Sequence, residues 1–406
     1  MSEPRAVAFV TLGCKVNRAE SEAALARLLG GGWRAAAQAA EADVVVVNTC
    51  TVTGEADRKV RKAVHRALRE CAGPVVVTGC MATVDGGGAA LAALDPRVVV
   101  EPDKSRLPSR VASLVDGPAP AAHGVRSGEG FRTRAAVKIQ DGCDARCAYC
   151  IVPDARGPAR SVPVADVLAE VRALVAAGTR EVVLTGVNLG RFAAGDGPGD
   201  DLADLVRAVA AEGPARVRLS SIEPLDITER LLTALAGTPA VCAHLHVPLQ
   251  SGSDRVLAAM RRGYTAAQYE EAIARAREAL PGLSVTTDVI AGFPGESDAD
   301  LAETLALVER VGFSKLHVFR FSARPGARAA EMGGQVPHAV RDSRAAELRA
   351  AGERLCEAYV RGRAGREAEM LVERVADGMA EGTTRDYLRV RFPADGAAEG
   401  DLVRQV

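Results

Sequence analysis

Over the first 117 residues, short β-branched runs alternate with stretches of helical periodicity. Residues 7–12, 44–48 and 75–78 are apolar runs of the length of a buried strand, and 98–100 is a shorter candidate. Helical patterns occupy 19–29 and 55–70. Such alternation predicts a doubly wound parallel sheet with helices on its faces. Residues 118–130 are poor in apolar side chains and carry Pro118, Pro120, Gly124, Ser127, Gly128 and Gly130, the composition of a linker.

The alternation resumes at residue 134. Strands are predicted at 137–140, 181–185, 217–220, 244–249, 285–290 and 315–321, with helices at 163–177, 202–211, 266–280 and 299–311. Six such units suggest a partial, TIM-like (β/α)6 barrel, since a full barrel takes eight. A helix at 339–359 precedes short antiparallel strands at 369–375, 380–384 and 387–392. The expected architecture is therefore α/β in three parts. These are an N-terminal domain (1–117), a core domain (131–362) after the linker, and a small all-β module (367–406).

Composition adds two constraints. The 406 residues carry 51 basic and 52 acidic side chains, which excludes a globally basic nucleic-acid coat but leaves room for a local patch. Nine cysteines are an odd number in a chain too long to need disulfide stapling. Residues 1–5 are polar and no apolar run approaches the ~20 residues of a membrane span, so neither a secretory leader nor a membrane anchor is expected. The expected setting is a reducing cytoplasm, where cysteines serve metals or catalysis more often than disulfides.

Cys143, Cys147 and Cys150 form a C-x3-C-x2-C motif directly after a predicted strand. Thiolates closing in one loop can hold a metal or a cluster. Structural zinc takes four protein ligands, and no His or fourth Cys lies within reach in sequence. Three ligands leave one iron of a [4Fe–4S] cluster open to chelate an amine and a carboxylate, as reductive cleavage of S-adenosylmethionine requires. A zinc site completed by a distant residue is the alternative. Cys14, Cys50 and Cys80 follow three predicted parallel strands, so they should converge on one sheet edge. Three separate buried thiols are the plainer reading of that set. Cys71, Cys242 and Cys356 are read as buried core thiols.

These residues resemble the radical S-adenosylmethionine methylthiotransferases over essentially the whole chain. The resemblance is carried by Thr11-Leu12-Gly13-Cys14-Lys15-Val16-Asn17, Asn48-Thr49-Cys50, Thr78-Gly79-Cys80, Gln140-Asp141-Gly142-Cys143 and Arg156-Gly157. It continues through Leu219-Ser220-Ser221-Ile222-Glu223-Pro224, His246-Val247-Pro248-Leu249-Gln250-Ser251-Gly252 and Gly292-Phe293-Pro294-Gly295-Glu296. The C-terminal module is similar to a TRAM domain, which in this family contacts RNA. Lys15-Val16 resembles the branch acting on N6-threonylcarbamoyladenosine beside the tRNA anticodon. Other branches act on isopentenyladenosine or on a ribosomal-protein aspartate. Asp154, Val162, Thr83 and Glu101-Pro102 depart from the family's usual residues, and none touches a cluster cysteine.

The resemblance implies two [4Fe–4S] clusters and S-adenosylmethionine. The cluster on Cys143, Cys147 and Cys150 would generate a 5′-deoxyadenosyl radical that takes hydrogen from C2 of adenine. The cluster on Cys14, Cys50 and Cys80 would carry the sulfur, methylated by a further S-adenosylmethionine. Cofactor contacts are expected from Tyr149, Gly186, Asn188, Ser220, Gln250 and Asp288. Taken singly these are ordinary loop or capping residues; most share a placement at predicted strand ends. The tRNA anticodon stem-loop, an electron donor such as flavodoxin or ferredoxin, and a sulfur donor system are the implied partners. Phosphate contacts are expected from Arg58, Lys62, Arg66 and Arg69 on one helix face, from Arg361, Arg363 and Arg366, and from Arg389 and Arg391. A charged helix face is commonly just solvated. The module from Glu367 onward holds nine acids against five arginines, so contact there must be local. A reading of another class, an RNA-binding scaffold with structural metal, would hold zinc in place of iron.

Overall fold

The computed structural model describes residues 4–126, 131–195 and 201–406. The first domain contains strands β1 (Ala6–Thr11), β2 (Arg34–Ala35), β3 (Val44–Thr49), β4 (Val75–Gly79) and β5 (Val98–Val100). They form one all-parallel sheet in the order β2-β1-β3-β4-β5. All of β3 is buried, as its run of four valines requires when helices cover both faces. Helices α2 (Gly54–Glu70), α3 (Cys80–Thr83) and α4 (Gly87–Ala92) pack on one face through Val60, Val64, Ala67, Met81 and Leu91. Helices α1 (Lys15–Gly30) and α5 (Leu107–Leu114) cover the other through Leu25, Leu28, Leu107 and Val111. Helix α2 starts where Thr53 accepts a hydrogen bond from the Ala56 N–H at 3.1 Å, with Glu55 and Asp57 in its first turn.

Helix α1 begins four residues before the apolar pattern predicts. Its opening turns bury polar side chains: Asn17 and Ser21 against Asn48 of β3, and Glu20 and Glu22 against cations outside the sheet. The expected linker, in its described part, is packed on the first domain. Trp33 Nε1 donates to the Pro118 carbonyl at 2.9 Å, Arg27 Nε to that of Ala121 at 3.0 Å, and the Arg126 side chain is buried. Ser127, Gly128 and Gly130 lie outside the described residues.

The core domain opens with β6 (Arg134–Lys138). A short antiparallel pair, β7 (Gln140–Asp141) and β8 (Arg160–Ser161), then brackets the cysteine loop and α6 (Val152–Arg156). There follow α7 (Val164–Ala176), β9 (Glu181–Thr185), α8 (Leu202–Ala211), β10 (Arg216–Leu219), α9 (Glu229–Ala236) and β11 (His244–His246). The domain continues with α10 (Asp254–Ala259), α11 (Ala266–Ala279), β12 (Ser284–Ala291), α12 (Asp298–Val311) and β13 (Lys315–Arg320). The six main strands are parallel neighbours in chain order, in two three-stranded sheets joined by the bridges Val217–Val241 and Ser221–His246. Among the described residues no strand pairs β6 with β13, so the barrel stays open there.

Helix α13 (His338–Arg363) leads to an antiparallel sheet of β14 (Ala368–Ala376), β15 (Met379–Thr384), β16 (Arg389–Pro393) and β17 (Leu402–Gln405), ordered β16-β15-β14-β17. Strand β17 is absent from the sequence expectation. The expected strand 387–392 starts late: Tyr387 sits in the turn before it, with φ +72°. The module closes the N-terminal end of the barrel through a buried ionic network. Arg216, Arg218 and Glu181 are fully buried. Arg218 Nε reaches Glu181 at 2.7 Å and its Nη2 donates to the Thr384 carbonyl at 3.0 Å, while Arg216 Nε reaches Glu369 at 3.0 Å.

Candidate functional site

The first domain meets the opposite, C-terminal end of the barrel strands, the end at which open α/β folds bind ligands. Three contacts tie it there. Lys138 Nζ pairs with Glu20 at 3.0 Å, the Gly54 N–H donates to Ser322 Oγ at 2.9 Å, and Arg324 Nη2 reaches Asp57 at 2.6 Å.

Cys14, Cys50 and Cys80 leave β1, β3 and β4 at this junction. Asn17, fully buried, holds the first two loops together: its Nδ2 donates to the carbonyls of Leu12 (3.1 Å) and Thr49 (2.7 Å) and to Asn48 Oδ1 (3.1 Å). Gly13, at φ +105°, lets the β1 loop close on Cys50, whose Cβ would lie 2.8 Å from any added Cβ. Burial pushes the Cys50 thiol up to about 11, and the facing Cys80 and Cys14 add to the rise. Burial also raises Cys80, against the opposing pull of Arg156 and Lys104. Cys14 is exposed and the other two are buried.

Cys143, Cys147 and Cys150 line the loop after β7. Gln140 anchors that loop: its Nε2 donates to the Gly142 carbonyl at 2.8 Å while its Oε1 accepts from the N–H of Val187 (2.9 Å) and Asn188 (2.8 Å). The N–H of Ala145 donates to Cys143 Sγ at 3.5 Å, that of Val152 to Cys150 Sγ at 3.4 Å, and Arg262 Nη1 to Cys147 Sγ at 3.3 Å. Burial pushes Cys150 up to about 12, with Cys147 and Cys143 adding to it. In each set burial first, and the neighbouring thiols second, disfavour the thiolate form, which a bound cation would favour.

Arg156 joins the two sets. Its buried guanidinium donates to Asn17 Oδ1 (2.6 Å), Glu20 Oε1 (3.0 Å) and Asp141 Oδ1 (2.8 Å) and faces Cys80. Thr83 Oγ1, three residues beyond Cys80, donates to the Ala155 carbonyl at 2.7 Å.

Below this junction a cavity of about 750 Å³ runs down the barrel lumen. Of the expected cofactor contacts, Gly186, Ser220 and Asp288 line it, and so does Cys14. Asn188, Gln250 and Tyr149 do not. Asn188 is tied to Gln140, Gln250 bends at φ +67°, and the Tyr149 hydroxyl meets Arg262 Nη1 at 3.4 Å. Cys356, expected in the core, is only half-buried and lines the cavity, because that face of α13 turns toward the open barrel edge. Asp288 Oδ2 lies 3.4 Å from His246 Nε2, and with His317 they bring three potential ligand atoms within 4.8 Å of one another. Thr185, Ser220 and His244 are among the residues lining the cavity, and their buried Oγ1, Oγ and Nδ1 have no hydrogen-bond partner among the described residues. Asn188 Oδ1 is likewise unpartnered.

Arg262, paired with Glu223, and the lumen residues Lys15, His244 and Tyr387 were not singled out as site residues from the sequence. No spacing marks Arg262 or Glu223: they reach the cysteine loop from other strand–helix units. Of the expected phosphate contacts, Arg58, Lys62, Arg66 and Arg69 share an exposed face of α2, where Arg66 pairs with Glu70 at 2.8 Å. Arg363 is committed to Asp386 at 2.9 Å and Arg361 lies 3.7 Å from Glu357. Arg389 and Arg391 are exposed on β16.

Residues 137–308 match the radical SAM superfamily and residues 6–100 match the uncharacterized protein family UPF0004. The threonylcarbamoyladenosine tRNA methylthiotransferase MtaB of Bacillus subtilis is 35% identical over 98% of this chain and 92% of its own length. That of Chlamydia pneumoniae is 37% identical over 96% and 91%. The tRNA-2-methylthio-N(6)-dimethylallyladenosine synthase of Sphingopyxis alaskensis is 36% identical over 98% and 94%. The chain belongs to the radical SAM tRNA methylthiotransferases. As such a methylthiotransferase it uses a [4Fe–4S] cluster and S-adenosylmethionine. Its fold is shared with the radical SAM methyltransferase TsrM of Kitasatospora setae, at a TM-score of 0.55 and 17% identity over 78% of this chain and 75% of that one. The residues present fit such a cofactor pair. The Cys143–Cys147–Cys150 loop offers three thiol donors in one turn, and Gln140 ties Asn188, whose buried Oδ1 has no partner among the described residues, to that loop. Among the described residues no helix is long and apolar enough to cross a membrane.

Proposed function

We propose that this methylthiotransferase acts at C2 of N6-threonylcarbamoyladenosine beside the tRNA anticodon. Sequence identity does not choose between the threonylcarbamoyl and dimethylallyl substrates, since relatives of both kinds fall at similar values. The polarity of the lumen supports the choice. Lys15, Thr185, His244, Thr286 and Asp288 line it, and an isoprenoid substituent would offer these polar side chains no hydrogen-bond partner. A threonylcarbamoyl substituent brings hydroxyl, amide and carboxylate groups to meet them.

On this reading Cys143, Cys147 and Cys150 hold the cluster that binds S-adenosylmethionine, with Arg262 and the Ala145 and Val152 N–H groups donating to their sulfurs. Cys14, Cys50 and Cys80 hold a second cluster. Together these groups supply radical chemistry at a carbon with neither an acidic proton nor a leaving group, and the sulfur that replaces its hydrogen. The chain's own part is placement: Arg156 fixes one thiol set against the other, and the two outer domains cover the two ends of the lumen. The base must leave the anticodon stack to enter, as single-stranded loop bases can. An electron donor, a sulfur source and a cytoplasmic setting complete the proposal. Nucleoside mass spectrometry of tRNA from a strain lacking this protein tests it. Loss of 2-methylthio-N6-threonylcarbamoyladenosine with accumulation of its unthiolated precursor is expected; persistence of the thiolated nucleoside would overturn the assignment.

A further inference from the structure

Lys15 follows Cys14 in sequence, yet its side chain enters the barrel lumen, 5.5 Å from the centre of the Tyr387 ring. Three parts of the chain meet at this point. Lys15 comes from the first domain, Arg134, Arg218 and His244 from the barrel, and Tyr387 from the turn of the C-terminal module. Arg134 lies 5.4 Å and Arg218 4.9 Å from the same ring, and His244 stacks on it at 4.4 Å.

The charges here are unequally matched. Arg134 is paired with Glu373 at 3.0 Å, and Arg218 with Glu181 at 2.7 Å. The Lys15 ammonium has no carboxylate within 4.0 Å among the described residues. Asp288, a carboxylate of the same cavity, lies 3.4 Å from His246 Nε2. A half-buried, unmatched ammonium is retained at a cost unless an anion arrives to pair with it. A second observation points the same way. His244, 1% exposed, is among the residues that line the cavity, and its buried Nδ1 has no partner among the described residues while Nε2 lies 3.1 Å from Thr286 Oγ1. Burial, Arg218 and Lys15 together hold this imidazole well below its usual pKa, so it serves as a neutral hydrogen-bonding group.

We propose that Lys15 and His244, backed by the Tyr387 ring, form a carboxylate-binding subsite in the lumen that receives the amino-acid carboxylate of the N6 substituent of the target adenosine. This rests on the substrate reading above and names the groups that enforce it. Tyr387 forms the floor: its turn, at φ +72°, carries the ring under the ammonium. The C-terminal module thereby takes part in base selection as well as in closing the barrel. S-adenosylmethionine also carries a carboxylate, and Gly186, Ser220 and Asp288 of its expected contacts line this cavity, but the thiols of its expected cluster, Cys143, Cys147 and Cys150, do not.

The test uses the anaerobically reconstituted full-length protein and anticodon stem-loop RNAs. These carry N6-threonylcarbamoyladenosine, its neutral threoninamide analogue, or isopentenyladenosine. Affinity is read by fluorescence anisotropy without S-adenosylmethionine, and S-adenosylmethionine binding is measured separately without RNA. The native protein should bind the acid at least about tenfold more tightly than the amide, the worth of one charge-assisted hydrogen bond. Lys15→Gln should bring that ratio close to one, and Lys15→Arg should restore most of it. A ratio near one in the native protein, a full ratio in Lys15→Gln, or a Lys15→Gln defect confined to S-adenosylmethionine would each overturn the subsite. The native comparison decides the matter even where Lys15→Gln fails to fold. Thiolation of the isopentenyl RNA but not the threonylcarbamoyl RNA would instead overturn the substrate reading itself.

Discussion

Glu20 is the residue on which the junction of the first domain with the barrel depends. Burial works to raise its pKa, but Arg156, Lys138 and Lys104 outweigh that and hold it below the ordinary 4.5. A carboxyl whose folded pKa is depressed contributes stability that is complete above 4.5 and is lost as pH falls through the depressed value. Glu20→Gln leaves Arg156 short of a partner in a buried site, which should cost about 3–5 kcal/mol at neutral pH. Thermal unfolding should show that loss at pH 7 and a much smaller difference between native and variant well below pH 4.5; equal midpoints at pH 7 would contradict it. The two thiol sets should also separate by function. Cys147→Ala should abolish reductive cleavage of S-adenosylmethionine, whereas Cys50→Ala should retain cleavage and yield no thiolated product. Thiolation by Cys50→Ala would remove the sulfur-donor role from that set. The placement of the six cysteines in two groups is legible from sequence, because spacing and position after β-branched runs locate them without further folding information. Arg262 is not, since it reaches Cys147 from 115 residues away.

Buried-strand elements were the legible ones. Four consecutive valines in β3, and similar runs in β4 and β5, have one reading when both sheet faces are covered. Helix α1 was legible only in part, because apolar periodicity reports burial in a hydrophobic core and its first turns are buried against charges instead. The same blindness hid the docking of the C-terminal module. Arg216 and Arg218 alternate with apolar residues in β10, and nothing local reveals that their side chains are wholly buried under another domain. Arg218→Ala strips Glu181 of its shortest ion pair inside that network and frees the Thr384 and Arg385 carbonyls it caps. The expected loss is again about 3–5 kcal/mol. Limited proteolysis should then release the module from residues 364–367 onward, and a variant as resistant as the native protein would show that the network does not hold it.

At the scale of the whole molecule, a net charge of −1 makes RNA recognition a local matter. A second cavity, about 870 Å³, opens beside Cys50 between the start of α2 and the end of β13, and Arg58, Lys59, Arg320, Arg341 and Arg349 line it. Lys59 is paired with Glu55 at 2.8 Å and Arg320 with Asp342 at 2.5 Å, which leaves fewer cations free for phosphate. The Lys62, Arg66 and Arg69 stretch of α2 runs on from this groove without lining it. Five phosphate contacts at ~0.7 counterion each predict a slope of about −3.5 for log K against log salt, and ion pairing within the groove brings it lower. Anisotropy titrations of the stem-loop over a series of KCl concentrations should give a slope between about −2 and −3.5. A slope several times steeper would mean a basic surface that this groove does not account for. Arg58→Ala combined with Arg349→Ala should flatten the slope by about 1.4 while weakening acid and amide stem-loops alike. Phosphate contacts position the RNA and carry no information about the base, so discrimination must come from the lumen. Loss of the acid-over-amide ratio in that double variant would show that groove and lumen do not act separately.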